Sequence, residues 1–134
     1  MPRILIVEDD VLIATGLAND LARSGITGAR IALSGQEGLD AIRDERPDLV
    51  VLDIDLPGGM DGIEIAARIR SEYGLPFIYL TAYSNETLVD RAKETVPYGY
   101  ILKPYRLAEI CIAIDMALHR HEMERRIEQA HARL

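Results

Sequence analysis

Apolar residues in this chain fall into short unbroken runs and longer spaced patterns, and the two alternate. Residues 3–7, 49–53, 77–81 and 99–102 are nearly continuous runs and read as strands, with a shorter strand near 29–33. Residues 49–53 are apolar up to their last position, as a strand covered on both faces requires. Between the runs, apolar positions recur at helical spacing. Leu12, Ile13, Leu17 and Leu21 predict a helix over 11–24 that stops at Ser24-Gly25. Ser34-Gly35-Gln36-Glu37 predicts a capping box, opening a helix that runs to about Asp44, before Pro47. Further helices are expected over 61–72 and 85–95, and a long one from about Arg106. Five strand–helix repeats predict an α/β fold with a parallel sheet, right-handed crossovers and helices on both faces.

Such a sheet brings the C-terminal ends of its strands to one edge, where ligands bind. Here the runs end in Glu8-Asp9-Asp10, in Asp53, in Thr81 and in Lys103. A carboxylate ending the buried run 49–53 needs a cation or hydrogen bonds. Glu8 and Asp9 beside Asp53 add repulsion that a bound cation relieves. Oxygen-only ligands favour magnesium. Lys103 offers a compact positive charge and Thr81 a hydroxyl donor. The set describes an aspartate that accepts a phosphoryl group while metal and lysine neutralise the incoming charge. Asp10, directly before the first helix, reads as its N-cap.

Composition narrows the picture. At 134 residues with 49% hydrophobic content, the chain is expected to form one globular domain. Its single cysteine, Cys111, permits no internal disulfide and reads as a small buried apolar residue. No apolar stretch approaches membrane-spanning length, and Met1-Pro2-Arg3 runs directly into a strand, so a cytoplasmic location without membrane contact is expected. A net charge of −7 argues against nucleic-acid binding. The charge is uneven: four arginines and three glutamates fall in 119–134, leaving the acidity in the first 118 residues. Residues 1–118 therefore read as the domain and 119–134 as a C-terminal helical extension.

Taken together, these segments resemble the receiver domain of two-component response regulators (the CheY-like superfamily) over about residues 2–120. The resemblance rests on Ile4-Leu5-Ile6-Val7-Glu8-Asp9-Asp10, Val51-Leu52-Asp53-Ile54-Asp55-Leu56-Pro57, Met60-Asp61-Gly62, Leu80-Thr81-Ala82 and Lys103-Pro104. It implies a flavodoxin-like doubly wound sheet of strand order 2-1-3-4-5. It implies Asp53 as phosphoacceptor, Asp9 as direct magnesium ligand, Glu8 as a ligand through water, and Asp55 as a ligand through its backbone carbonyl. Thr81 and Lys103 are implied as the phosphate-binding pair, Tyr100 as the aromatic switch, and the Lys103–Pro104 bond as cis. The implied partner is a sensor histidine kinase or phosphotransfer protein. Phosphorylation is expected to move Thr81 and turn Tyr100 inward. Gly58-Gly59 makes the loop after Asp53 one residue longer than the family's usual spacing, which bears on partner docking.

Two other readings compete. Asp53-Ile54-Asp55 is an Asp-x-Asp at a strand end, as in haloacid-dehalogenase-like phosphohydrolases, which carry it on the first strand. A receiver-like binding module that is never phosphorylated is the other. In the tail, Met116, His119, Met123, Ile127, Ala130 and Leu134 form a stripe at helical spacing. It reads as a homodimer seam, against a solvated helix or the stub of a linker. His119, His121 and His131 lack a metal-ligand pattern and read as a solvated face.

Overall fold

The computed structural model describes residues 1–56, 62–82 and 86–132, with backbone only for 86–89. Five strands alternate with five helices. β1 (Ile4–Val7), β2 (Arg30–Ala32), β3 (Leu49–Asp53), β4 (Phe77–Ala82) and β5 (Gly99–Lys103) pair in parallel in the order β2-β1-β3-β4-β5. The helices are α1 (Val11–Arg23), α2 (Gly35–Asp44), α3 (Gly62–Arg68), α4 (Glu86–Lys93) and α5 (Leu107–Ala132). The predicted α/β class and strand order are those observed.

The strands' alternation sorts the core into two layers. Leu5, Val7, Val50 and Leu52 point toward α2 and α3, packing with Leu39, Ile42, Ile63 and Ile65. Ile4, Ile6, Leu49 and Val51 point the other way, toward Leu17 and Leu21 of α1 and Ile110 and Ile114 of α5. Central β3 is buried at every position, as its unbroken apolar run demands.

Local chemistry sets the helix boundaries. The Asp10 carboxylate accepts from the amides of Leu12 (2.9 Å) and Ile13 (3.3 Å), the expected N-cap. Ser34 caps α2 through the Glu37 amide at 3.1 Å. Glu37, however, accepts from the Leu33 amide at 2.8 Å, one residue earlier than a capping box places it. The helix expected over 61–72 is shorter. α3 passes into a π-helical turn, Ile69–Tyr73, which Gly74 ends at φ 61°. Cys111 is half-buried rather than buried, with its thiol 3.4 Å from the Ser24 hydroxyl. Gly58-Gly59, Met60 and Asp61 lie outside the described residues.

One backbone conformation works against its side chain. Val96 follows α4 at φ 54°, where a β-branched residue is strained. Its side chain is exposed, so little packing opposes a change. Val96→Gly is expected to raise stability by about 1 kcal/mol, after allowing for glycine's freer unfolded chain. Urea denaturation would measure it; an unchanged or lower midpoint would show that the strain is relieved elsewhere.

Candidate functional site

Strand pairing assembles the acidic edge. Val7 pairs with Leu52, which sets Glu8, the next residue, beside Asp53. Ala82 pairs with Lys103, bringing the lysine to the same edge from β5. Glu8 and Asp53 are buried, whereas Asp9 and Asp55 are exposed. Glu8, Asp9 and Asp53 each offer one oxygen within 4.8 Å of the others. The Asp55 side chain is not in that group, and the role expected for this residue is through its backbone carbonyl. The Asp55 amide donates to Asp53 Oδ1 at 3.0 Å, fixing the rotation of the Asp53 carboxylate. Asp53 Oδ2 then faces Lys103 Nζ at 3.3 Å. Lys103 also donates to Glu8 Oε1 at 2.9 Å. The Lys103–Pro104 peptide is cis.

The chain closes tightly over this edge. A Cβ placed on Gly62 would lie 2.3 Å from the Asp53 carbonyl oxygen and 2.8 Å from Ile54 Cα. Only glycine fits where α3 begins against the end of β3. Residue spacing pointed to Gly62 only through the motif that contains it.

The charges are incompletely balanced. Among the described residues, Glu8 Oε2 is buried without a hydrogen-bond partner. Burial above all, then the neighbouring Asp53 carboxylate, pushes Glu8 up to about 8, with Lys103 opposing. Burial by itself would lower Lys103, yet its bonds to Glu8 and the charge of Asp53 hold it above its ordinary value. Asp53 keeps the lysine protonated whichever state Glu8 takes. A partnerless buried carboxylate oxygen facing two further acids is what a hard divalent cation would satisfy, so the donor set fits magnesium.

Protonation of Glu8 makes stability pH-dependent. Unfolded, Glu8 ionises near 4.5; folded, it keeps its proton to about 8. Folding takes up a proton between these values, so the metal-free chain loses stability as pH rises through that window. A loss on the order of 2 kcal/mol is expected, because relaxation and water soften the full shift. Magnesium, favouring ionised Glu8, should flatten the profile. Thermal unfolding in chelator across the window would measure this; stability rising with pH would contradict it.

Thr81 is buried, and its hydroxyl donates to the Ala82 carbonyl at 3.2 Å. Tyr100 is half-buried. Its ring packs against the core, stacked on Tyr79 with centroids 5.8 Å apart, and its hydroxyl is buried without a partner among the described residues.

Comparison with known proteins matches this arrangement. The profile of the response regulator receiver domain covers residues 4–115. The chain belongs to that family. It is 36% identical over 118 residues to the transcriptional regulatory protein PdtaR of Mycobacterium tuberculosis, covering 88% of this chain and 57% of that protein. It is 41% identical over 124 residues to the transcriptional regulatory protein AfsQ1 of Streptomyces coelicolor, covering 92% and 54%. The receiver thus spans little more than half the length of these relatives. Among solved structures, it resembles the receiver domain of a modulated diguanylate cyclase from Desulfovibrio desulfuricans (TM-score 0.87, 35% identity, 92% of this chain and 98% of that one). It also resembles a CheY-like receiver protein from Methanospirillum hungatei (TM-score 0.83, 30% identity, 92% and 98%).

The receiver's last helix is as long as expected, and its one departure is at His121. α5 continues without a break through 118–119 to Ala132. Met116, Met123 and Ile127 of the tail stripe are exposed, joined by Ile112 one turn earlier. Leu134 lies outside the described residues. His119 and His131 are exposed as expected, but His121 is half-buried. Its ring lies edge-on to Tyr98 at 5.9 Å, and Nδ1 is 3.3 Å from the Tyr98 hydroxyl. That hydroxyl donates to Glu124, and the Arg120 guanidinium covers the ring at 4.2 Å. Tyr98 thus clasps the first turns of the extension to the body. Among the described residues, no helix is long and apolar enough to cross a membrane.

Proposed function

We propose that Asp53 is the phosphoacceptor of a two-component phosphorelay, taking its phosphoryl group from a sensor histidine kinase or phosphotransfer protein. The observation that carries this reading is the acidic cluster itself. Glu8, Asp9 and Asp53 converge within ion-binding distance, one Glu8 oxygen lacks a partner, and Lys103 lies against Asp53. Asp9, Asp53 and the Asp55 carbonyl would hold magnesium directly and Glu8 through water. Bound there, the ion neutralises charge gathering on the transferred oxygens. An Asp53 carboxylate oxygen attacks phosphorus, and the bond to the donor's leaving atom breaks as the new bond forms. Lys103 neutralises the phosphoryl oxygens from the β5 side, and the Thr81 hydroxyl exchanges the Ala82 carbonyl for one of them. The domain acts as a phosphoacceptor, without turnover of a separate substrate.

Tyr100 supplies the response. Its buried hydroxyl disfavours the packed-in position by on the order of 1–3 kcal/mol, while the ring's burial and stacking favour it. Opposing contributions of similar size leave the two positions close in energy, so a new Thr81 contact can tip the balance.

Incubation with acetyl phosphate and magnesium tests this reading. One acid-stable, base-labile acyl phosphate per chain is expected, dependent on the metal. No label under those conditions would favour a binding module that is never phosphorylated. Continuous release of phosphate from a monoester would favour the phosphohydrolase.

Residues 1–118 form the receiver in this reading, and 119–134 the extension, which pairs two chains along the exposed stripe. A cytoplasmic location, with no membrane or nucleic-acid contact by this segment, accompanies it. Sedimentation should report a dimer, and Met123→Glu should return it to monomer by placing a charge in the seam. A monomeric wild type would refute the pairing.

A further inference from the structure

At the sheet edge opposite Asp53, the extension of α5 roofs a recess of about 640 Å³. Its walls come from the starts of several strands and from the turn after α3, and they carry four arginines against three acids, in a chain of net charge −7. How those charges are used matters more than their number. Arg3 is paired with Glu45 at 3.2 Å. Arg46 donates to the Tyr73 carbonyl, and Arg70 to the Val96 carbonyl at 3.2 Å. Neither has a carboxylate partner among the described residues, and Arg125 has no hydrogen-bond or ion-pair partner among them. Two of the acids are otherwise engaged: Asp48 accepts from the Arg3 amide at 2.7 Å, and Glu124 from Tyr98 and Arg120. Asp48 keeps its charge, since a backbone amide does not neutralise it, so Asp48 and Glu128 are left to oppose three guanidinium groups. The half-buried His121 imidazole reports the same field. It is held below its ordinary value by burial first and then by Arg125, with Arg46 adding to this and Glu124 and Glu128 opposing it.

We propose that this recess binds a small polyanion carrying at least two phosphate groups, gripped by Arg46, Arg70 and Arg125. Planar guanidinium forks match phosphate oxygens in pairs. Three of them, from three separate elements, suit more charge than one phosphate supplies. The volume lies within the range of small-molecule sites and exceeds what pyrophosphate fills, so a nucleoside diphosphate fits the same chemistry. Arg46 and Arg70 belong to the body and Arg125 to the extension, so the ligand bridges them across the Tyr98 clasp.

Amide chemical shifts of the whole chain test the site, with pyrophosphate, ADP and inorganic phosphate as probes. Chelator keeps magnesium from drawing anions to Asp53, and low salt limits screening at the recess. Saturable shifts are expected at Arg70, Tyr98 and His121 and not at Glu8, Asp53 or Lys103. Pyrophosphate should bind about tenfold more tightly than inorganic phosphate. Tighter binding of ADP than of pyrophosphate would identify a nucleotide, and equal binding a bare polyphosphate. Arg125→Glu, on an exposed helical surface, should weaken binding about tenfold or more while acetyl phosphate still labels Asp53. No saturation by about 10 mM of either diphosphate would overturn the proposal, as would shifts that survive Arg125→Glu unchanged.

Discussion

Asp53→Asn should reduce acetyl phosphate labelling to background while leaving the fold intact. An amide is too weak a nucleophile to attack phosphorus, and it removes one of the charges that would hold the ion. The local structure has reason to survive. An amide oxygen can still accept from the Asp55 N–H that now meets Asp53 Oδ1. Removing the charge also relieves part of what holds Glu8 protonated, burial being the larger cause. The variant should therefore melt no lower than wild type without metal, and lose most of the stabilisation that magnesium gives wild type. Intact-mass spectrometry and thermal unfolding measure the two together. A variant that still takes up a phosphoryl group would remove Asp53 from its proposed role; one that unfolds would leave Asp53→Glu, which keeps the charge but lengthens the reach, as the cleaner comparison.

Gly62→Ala should be the most damaging single-methyl change near the site. In an ordinary helical position alanine gains roughly 1 kcal/mol over glycine. Here its Cβ would meet the Asp53 carbonyl oxygen at 2.3 Å and the Ile54 backbone at 2.8 Å. Neither neighbour is a side chain that can swing aside, so α3 or the end of β3 must move. A cost of about 3 kcal/mol or more is expected, and a fall in Tm of roughly 10 °C. The same displacement would turn the Asp53 carboxylate away from Lys103 and slow labelling. Calorimetry with a labelling time course checks both; a Tm within about 2 °C of wild type would show that the backbone yields without cost.

The legible parts of this protein were those dictated by one strand or one turn. β3 announced its burial by having no polar residue before Asp53, and Asp10 announced its cap by standing directly before an apolar helical pattern. Glu8, Asp53, Thr81 and Lys103 were placed by a topological rule, since each lies at or next to the C-terminal end of a strand of a parallel sheet. Features that depend on contacts between distant segments were not legible. The direction of the Tyr100 ring depends on Tyr79 across β4. The half-burial of His121 depends on Tyr98, which no periodicity in the tail reveals. The π-helical turn at 69–73 has no apolar signature distinguishing it from the end of an α-helix, and Gly74 marks only where it stops. Glu37 bonding one residue early reflects how β2 enters α2, which the four letters of a capping box do not specify.

The Tyr98 clasp has a mechanical consequence. α5 is a single rod of 26 residues, about 39 Å long, and its last buried residue is Ala117. Hinged there, the remaining length would act as a lever of about 22 Å, and a tilt of about 5° at the hinge would carry its tip about 2 Å. Gripping Glu124 moves the fulcrum outward and leaves an arm of only about 12 Å. Tyr98 stands two residues before Tyr100, so the strand that would sense the phosphoryl group also holds that fulcrum. Under the proposed switch, a displacement of β5 would reach the tip by moving the pivot itself, and the stroke would be set by where on the rod the tyrosine takes hold.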